Sequence, residues 1–546
     1  MEQGSVARDI VLTNGRLVDG SGTPARPASL RIENGRIAAI GALPAIAADG
    51  AEIVDCGGQV IAPGFIDAHS HMEYFALSAN PGYVDSFTAQ GVTTFVAGNC
   101  GFSPYGFAPQ SPHLGLLENS LFKAGCNRFS WSSYGEFTDV LKGLGITQNM
   151  VHLAGHGSCR TSIAGFEVRD LNAPEMDRML ALLNQAMEEG VAGVSLGLQY
   201  KPGIFARTDE LEQVARLVRE HDKILSVHAR AYSAFSGTYP PLPFGKPHNL
   251  KAIEDMLEIV RRTGVRLQFS HLIFAGTRTW KTADRAIALF DRIRAEGHDV
   301  MFDMFPYVCG ATLLNTVLPE WFMAAMPGAL HNPLARARLR LEAELGFRLV
   351  GFGYEQMQLA AGACPEYDPY NGLFMPDIAR QTGRSCFETM LDILEKSDAE
   401  ARMLFYNYYS NEIIERLMGH DAALFCTDSW PEPAGSQNPA AFGAFPRFLQ
   451  IARERGTLSV ERAVHRMTGA PAARYRLEGR GLLKPGFAAD IVVFDPAIVA
   501  DNTTPSRCDA APSGIDHVFI NGVRALAGGQ VVRAGHGAGR LLAPAA

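Results

Sequence analysis

No apolar run in this 546-residue chain is long enough to cross a bilayer, which argues against an integral membrane protein. Its opening, MEQGSVARDIVLTNG, lacks the basic, then apolar, then small-residue order of a signal peptide. No block rich in Lys and Arg stands out, and 49 basic against 57 acidic residues give a formal net charge of −8. Nucleic acid is therefore not an expected partner. The nine cysteines are odd in number, dispersed and set in apolar context, so reduced, buried thiols and a cytoplasmic address are expected. No GxGxxG follows an early strand, which removes the strongest sign of a dinucleotide fold.

What is present is a globular chain, 47% apolar and long enough for a large core and more than one domain. The first sixty residues are apolar runs punctuated by Asn-Gly and Gly-Gly turns: DIVLTNGRLVDGSG, SLRIENGRIAAIG and AEIVDCGGQVIAPG. The tail repeats the style in DIVVFDPAIV, HVFINGVRALAGGQVV and GRLL. The two β-rich ends are expected to join into one small sheet domain, residues 1–62 plus 480–546.

Between them, compact apolar segments alternate with helical patterns. They are IAPGFIDAH, VTTFVAGN (92–99), MVHLAGH (150–156), GVSLGL (193–198), ILSVHAR (224–230), VRLQFSH (265–271), VMFDMFPY (300–307) and ALFCTDS (423–429). Eight strands alternating with helices are expected to form a (β/α)8 barrel over residues 63–479. The stretch at about 318–422 is too long for one crossover and predicts an inserted, lid-like subdomain.

In IAPGFIDAHSH, His69 and His71 lie two apart and would point the same way from a strand end. A lone HxH is often accidental, and a lone Cys100 reads best as a buried thiol. Here Cys100, His228, His271 and Asp428 sit at the ends of other apolar segments, and a barrel brings such ends to one mouth. A thiolate with imidazoles is a zinc-type donor set, and a thiolate can bridge two ions.

The motifs PGFIDAHSH, GVTTFVAGNCGFSP, SLGLQYKPGIFARTDEL, SVHAR, QFSH, CTDS and KPGFAADIVVFDP resemble the amidohydrolase superfamily, in particular its N-acyl-D-amino-acid deacylase branch. The resemblance covers nearly the whole chain. It implies a zinc-containing barrel with a β-sandwich built from both termini, and amide hydrolysis. By that resemblance Cys100, His228 and His271 hold a tight zinc, and His69, His71 and Asp428 surround a weaker second position that Cys100 can bridge. Strand 4 carries no lysine, and Lys201 lies beyond Tyr200, so Cys100 replaces the carbamylated lysine of many relatives. That disfavours a hydantoinase or dihydroorotase.

The expected chemistry is attack of zinc-activated water on a carbonyl, with Asp428 taking the water proton and passing it to the leaving nitrogen. Tyr200 matches a tyrosine of the branch and is either an oxyanion donor or a core residue. Arg230 is either a substrate contact or a salt-bridge partner, and His156 is expected near the mouth. The chain departs from the branch where a substrate carboxylate is normally held. Ile273 stands where a lysine is usual, Ala311 follows Tyr307 where a serine is usual, and Ala440 replaces an arginine. With Tyr74, Phe75, Phe102, Tyr105, Phe107, Phe305, Trp430 and Phe442 expected around the mouth, a neutral, apolar or aromatic small-molecule amide is the expected substrate. Tyr200, Arg230, Tyr307, Ile273 and Trp430 are its expected contacts. N-acyl-D-amino-acid deacylation proper stays open, as does hydrolysis of an ester, lactone, carbamate or cyclic amide, or a non-catalytic metal-binding role. A homo-oligomer is compatible with the sequence.

Overall fold

A computed structural model describes residues 9–42, 50–78, 80–118, 128–239, 245–432 and 434–545. Both ends of the chain build one nine-stranded sheet. Its seam is the antiparallel pairing of Val60–Pro63 with Ile491–Phe494, in the register Ile491↔Pro63. Ile10–Leu17 continues the N-terminal side and Ile515–Ile520 the C-terminal side. Leu12, Leu30, Ile37, Ile61, Ile491 and Phe519 bury one face of it as a separate small core. Alternating strands need such a second layer, so neither terminal segment could bury its apolar face alone.

The middle of the chain is an α/β barrel. Its strands are β1 (Phe65–Asp67), β2 (Val92–Ala97), β3 (Asn149–His152, resumed at Ala154–Gly155), β4 (Gly193–Gly197), β5 (Ile224–His228), β6 (Arg266–Phe269), β7 (Val300–Met304) and β8 (Ala423–Phe425). All pair in parallel with their neighbours from β1 round to β8. The ring closes where the Ala68 amide donates to the Phe425 carbonyl, and where Asp67 accepts from the Thr427 amide and hydroxyl. Strands buried on both faces read as continuous apolar runs, which is why each was visible in the sequence. Helices cover the outside, among them Ala173–Glu188, which begins with a capping box from Asn172 and Glu175. No helix among the described residues is long and apolar enough to cross a membrane.

Two features differ from the expectation. The final strand, Leu541–Leu542, leaves the terminal sheet and pairs in parallel with β3. GRLL is too short to declare its partner, since pairing is decided by where the tail lands. The inserted piece between β7 and β8 also starts before residue 318. Gly310–Leu313 already belongs to its antiparallel sheet, with Arg402–Phe405 at the centre and Met357–Ala361 on the far side. A four-residue strand running straight on from FPYVC gives no composition change to mark the boundary. The helix Pro333–Val350, capped by Asn332, lines the cavity at the barrel mouth through Arg338, Glu342 and Phe347, and Asn411–Gly419 leads back into β8.

Candidate metal centre

His228 ends β5 itself, whereas His69, His71, Cys100, His271 and Asp428 lie just beyond their strands. Cys100 follows β2 in the segment GNCG. A Cβ on Gly98 would sit 2.1 Å from the Leu153 carbonyl, and one on Gly101 would sit 2.7 Å from the Gly197 amide nitrogen. Both glycines have positive φ, so only glycine passes here, and the loop drives Cys100 inward. Cys100, His271 and Asp428 themselves hold left-handed backbone, with φ of 55°, 29° and 47°. Strain of this kind in non-glycine residues persists where the surroundings over-determine it, typically at functional sites.

The six side chains converge. Cys100 Sγ lies 3.4 Å from His69 Nε2, 3.6 Å from His228 Nδ1 and 3.5 Å from His271 Nε2. His228 Nδ1 and His271 Nε2 are 3.0 Å apart. Asp428 Oδ1 stands 3.4 Å from His69 Nε2 and 3.6 Å from His71 Nε2. Three overlapping triads, His69–His71–Cys100, Cys100–His228–His271 and His69–His271–Asp428, each gather their ligand atoms within 4.8 Å of one another.

The electrostatics fit a cation. Burial holds His71 and His228 well below the usual imidazole range, and His271 below it, so their lone pairs are available. His228 Nε2 lies 3.1 Å from Gln199 Oε1, which leaves Nδ1 facing the thiol. Burial opposes protonation of His69 too, but Cys100, Asp303 and Asp428 around it outweigh that and raise its pKa. Burial also pushes the Cys100 thiol up to about 11 and raises Asp428. Anionic ligands buried together are costly unless a cation joins them, and a bound divalent ion reverses both shifts.

One buried carboxylate behind the cluster escaped the sequence reading. Asp303, on β7, faces His69 Nδ1 at 3.2 Å, accepts from the His271 amide at 2.7 Å and from Gln268 Nε2 at 2.9 Å. An acid in the apolar run VMFDMF has to be partnered to be buried, and that was its signal.

The mouth opens into a cavity of about 460 Å³. Tyr200, Ile273 and Trp430 line it. The Tyr200 hydroxyl lies 3.1 Å from Thr312 Oγ1 and its ring is 4.6 Å from His228, while the Trp430 ring meets His71 edge-on at 5.6 Å. Two expected substrate contacts lie elsewhere. The Arg230 guanidinium donates to the carbonyls of Ile204 at 2.6 Å and Ala206 at 2.8 Å, because β5 ends at His228 and the strand alternation no longer applies. Tyr307 is buried under the Arg447 guanidinium at 4.7 Å, beside Asp501, and does not line the cavity. His156 is likewise drawn away from the mouth, to Glu210 at 2.8 Å. Of the aromatic residues expected at the mouth, only Trp430 lines the cavity. The inserted subdomain roofs it and brings its own rings, Trp321, Phe347 and Phe352.

A closed parallel barrel that gathers imidazoles, a thiol and a carboxylate at the carboxyl ends of its strands is the architecture of a metal-dependent hydrolase. Comparison with known proteins gives the particular family. The profile described as Amidohydrolase family matches residues 52–242 and 411–525. D-aminoacylase of Alcaligenes xylosoxydans xylosoxydans is 30% identical over 98% of this chain and 97% of its own length. N-acyl-D-aspartate deacylase of the same organism is 30% identical over 94% and 91%. Among solved structures, D-aminoacylase superposes with a TM-score of 0.80 at 27% identity, covering 98% of this chain and 99% of that one. N-acyl-D-glutamate deacylase from Bordetella bronchiseptica, solved with zinc and a phosphonate inhibitor, gives 0.80 at 28% identity over the same shares. The chain belongs to the amidohydrolase family. It is a metal-dependent hydrolase of carbon–nitrogen bonds other than peptide bonds.

Proposed function

We propose that the enzyme hydrolyses a linear N-acyl amide with zinc as its metal, and that its substrate is neutral and apolar or aromatic. Cys100, His228 and His271 would hold the tight zinc, and His69, His71 and Asp428 would surround a weaker position to which Cys100 would also be available. The donor set and the zinc present in the deacylase relative support that choice. When bound, zinc polarises the carbonyl and lowers the pKa of water to about 7.

The chain's own residues do the rest. Asp428 faces the cavity with its carboxylate beside His69 and His71, placed to take a water proton. From there Asp428 would hand the acquired proton on to the amide nitrogen as the C–N bond breaks and hydroxyl stays on the acyl carbon. Tyr200 stays protonated because burial pushes its pKa well up, and its hydroxyl is a fit donor to the developing oxyanion. Trp430, tied to Glu432 through Nε1 at 2.9 Å, packs edge-on against His71 at the cavity wall.

The observation that carries the substrate preference is the cavity wall. Ile273 and Ala311 line it where the family resemblance expects a cation and a hydroxyl. Its one guanidinium among the described residues, Arg338, is already paired with Glu342 at 2.7 Å. A carboxylate desolvated there without a partner costs several kcal/mol. The relatives' own specificities support the second reading, an N-acyl-D-amino-acid deacylase proper. Zinc analysis with turnover of N-acyl-D-amino acids against the same compounds amidated at the carboxylate separates the two. Faster turnover of the amidated compounds is expected, and preference for the free acids would refute the apolar reading.

A further inference from the structure

The cavity does not end at the metal ligands. It runs outward between the loop 233–239 that follows β5 and the inserted subdomain, and the two walls touch: a Cβ on Gly237 would lie 2.8 Å from Pro319 Cα. This outer arm is walled by Phe235, Val317, Leu318 and Phe347, while the lining hydroxyls of Thr238 and Thr316 donate to the carbonyls of Arg230 and Leu313. Its charges cancel locally. Arg338 stacks on Trp321 at 4.0 Å and pairs with Glu342, which also accepts from Trp321 Nε1 at 2.8 Å. Among the described residues, no Lys or Arg other than the paired Arg338 lines the cavity to receive an ionised substrate end.

At the far end the arm reaches the helix Pro333–Val350. Leu345 lines the cavity and is at the same time 53% exposed. Leu341 and Leu349, one turn to either side on the same face, are 70% and 40% exposed. One cavity thus joins the metal-ligand cluster, the mainly apolar wall and the exposed Leu345 of the helix. A volume of about 460 Å³ falls in the range that encloses a drug-sized ligand, far more than an acetyl group fills.

We infer that this arm binds a long apolar chain carried by the substrate, on one side of the scissile amide, with its tail directed to the leucine rim of the helix. The inference rests on the amide-hydrolase reading of the site and adds the size and character of one substrate group. The chain belongs either to the acyl half or to the amine half, since both meet at the reacting carbonyl.

Two neutral series decide. One is N-acyl glycinamides from acetyl through hexanoyl to decanoyl, and the other is N-acetyl methyl-, hexyl- and decylamine, each kept below its micelle concentration. The zinc-loaded enzyme is expected to gain about fourfold in kcat/KM per buried methylene, so at least about 100-fold along one series, levelling once the tail reaches the rim. The series that rises names the half. Flat or falling values in both overturn the inference.

Gly346 lies within the helix, where an added Cβ would meet Phe235 at 3.7 Å, an ordinary contact. Gly346→Phe should fold and plug the arm, cutting the decanoyl-to-acetyl ratio at least tenfold. Leu345→Glu, at an exposed position, should lower the same ratio, and an unchanged ratio in both variants would count against the arm. Calorimetric binding of the decanoyl and acetyl compounds separates this inference from the reaction itself. Tighter decanoyl binding without hydrolysis removes the amidase reading and keeps the arm. Hydrolysis with equal binding across chain lengths does the reverse.

Discussion

Asp428 and Asp303 show how two buried carboxylates on neighbouring strands take different work. Asp428 lies at the cavity, 13% exposed, and burial raises its pKa. Asp303 is fully buried and held below the ordinary carboxylate range: burial pushes it up, but His69 and His271 outweigh that. The first is fitted to exchange a proton, the second to stay charged and orient imidazoles. Asp428→Asn should lower kcat by about 10²–10⁴-fold with the tight zinc retained, measured by turnover and metal analysis on one sample. Near-normal turnover would remove the proton-transfer role. Asp303→Asn should leave catalysis possible but weaken zinc binding at the second, weaker position about 10–100-fold in a chelator competition, because His69 loses the acceptor that fixes its tautomer. Unchanged zinc affinity would reduce Asp303 to a packing residue. Strand-end position made the first carboxylate legible in the sequence. Asp303 was hidden because it sits inside an apolar run whose neighbours draw the eye to packing.

At the scale of elements, β3 carries a titration of its own. His152 is enclosed by the rings of Tyr105, Tyr134 and Phe137, and Tyr134 places its hydroxyl 3.2 Å from Nδ1. Burial depresses its pKa to about 3 against an ordinary value of 6.5. The unfolded chain therefore binds a proton at pH 6.5 that the folded chain refuses until about pH 3. Stability is full above pH 6.5 and falls by about 1.4 kcal/mol for each pH unit below it, down to pH 3. His152→Gln should lose this dependence, so its melting temperature should fall less than that of the parent between pH 7 and pH 5. Parallel curves would show that the acid sensitivity lies elsewhere, the metal ligands being the alternative source. The elements themselves were legible to the extent that each is self-contained. The barrel strands, buried on both faces, announce themselves as apolar runs. The cavity wall does not, because Trp321, Phe347 and Phe352 reach the site only through docking of the inserted subdomain, and nothing local in their sequence says where they face. Arg230 misleads for the opposite reason: strand alternation aims it at the mouth, but the strand has ended two residues earlier.

At the scale of the whole molecule, the chain's end acts as part of the barrel wall. Leu541–Leu542 occupies the edge of β3 at Met150 and Val151, so β4 meets β3 only from Ala154 onward. The segment before it is threaded closely: a Cβ on Gly539 would fall 2.2 Å from the Gln148 carbonyl, and the Gly539 amide donates to the Ile146 carbonyl. The Arg540 carbonyl accepts from the Met150 amide, and the Arg540 amide donates to Asn149 Oδ1. The Ala545 amide closes onto the Arg476 carbonyl. Asn521 joins this seam to the terminal sheet by donating to both Asn149 Oδ1 and the Ala538 carbonyl. Removing residues 537–546 thus strips hydrogen bonds from a parallel edge that has no other strand to pair with, and each is worth about 1 kcal/mol. The truncated enzyme should melt at a clearly lower temperature, with a stability loss of about 3 kcal/mol or more. Gly539→Ala, which keeps the tail but forces it off Gln148, should lose a smaller part of the same amount. Because the tail pairs at Met150 and Val151, the N-terminal end of β3 and so the end opposite the mouth where the ligands gather, zinc content should survive the truncation at low temperature. Equal melting temperatures for the full and shortened chains would mean that the barrel closes between β3 and β4 without its tail.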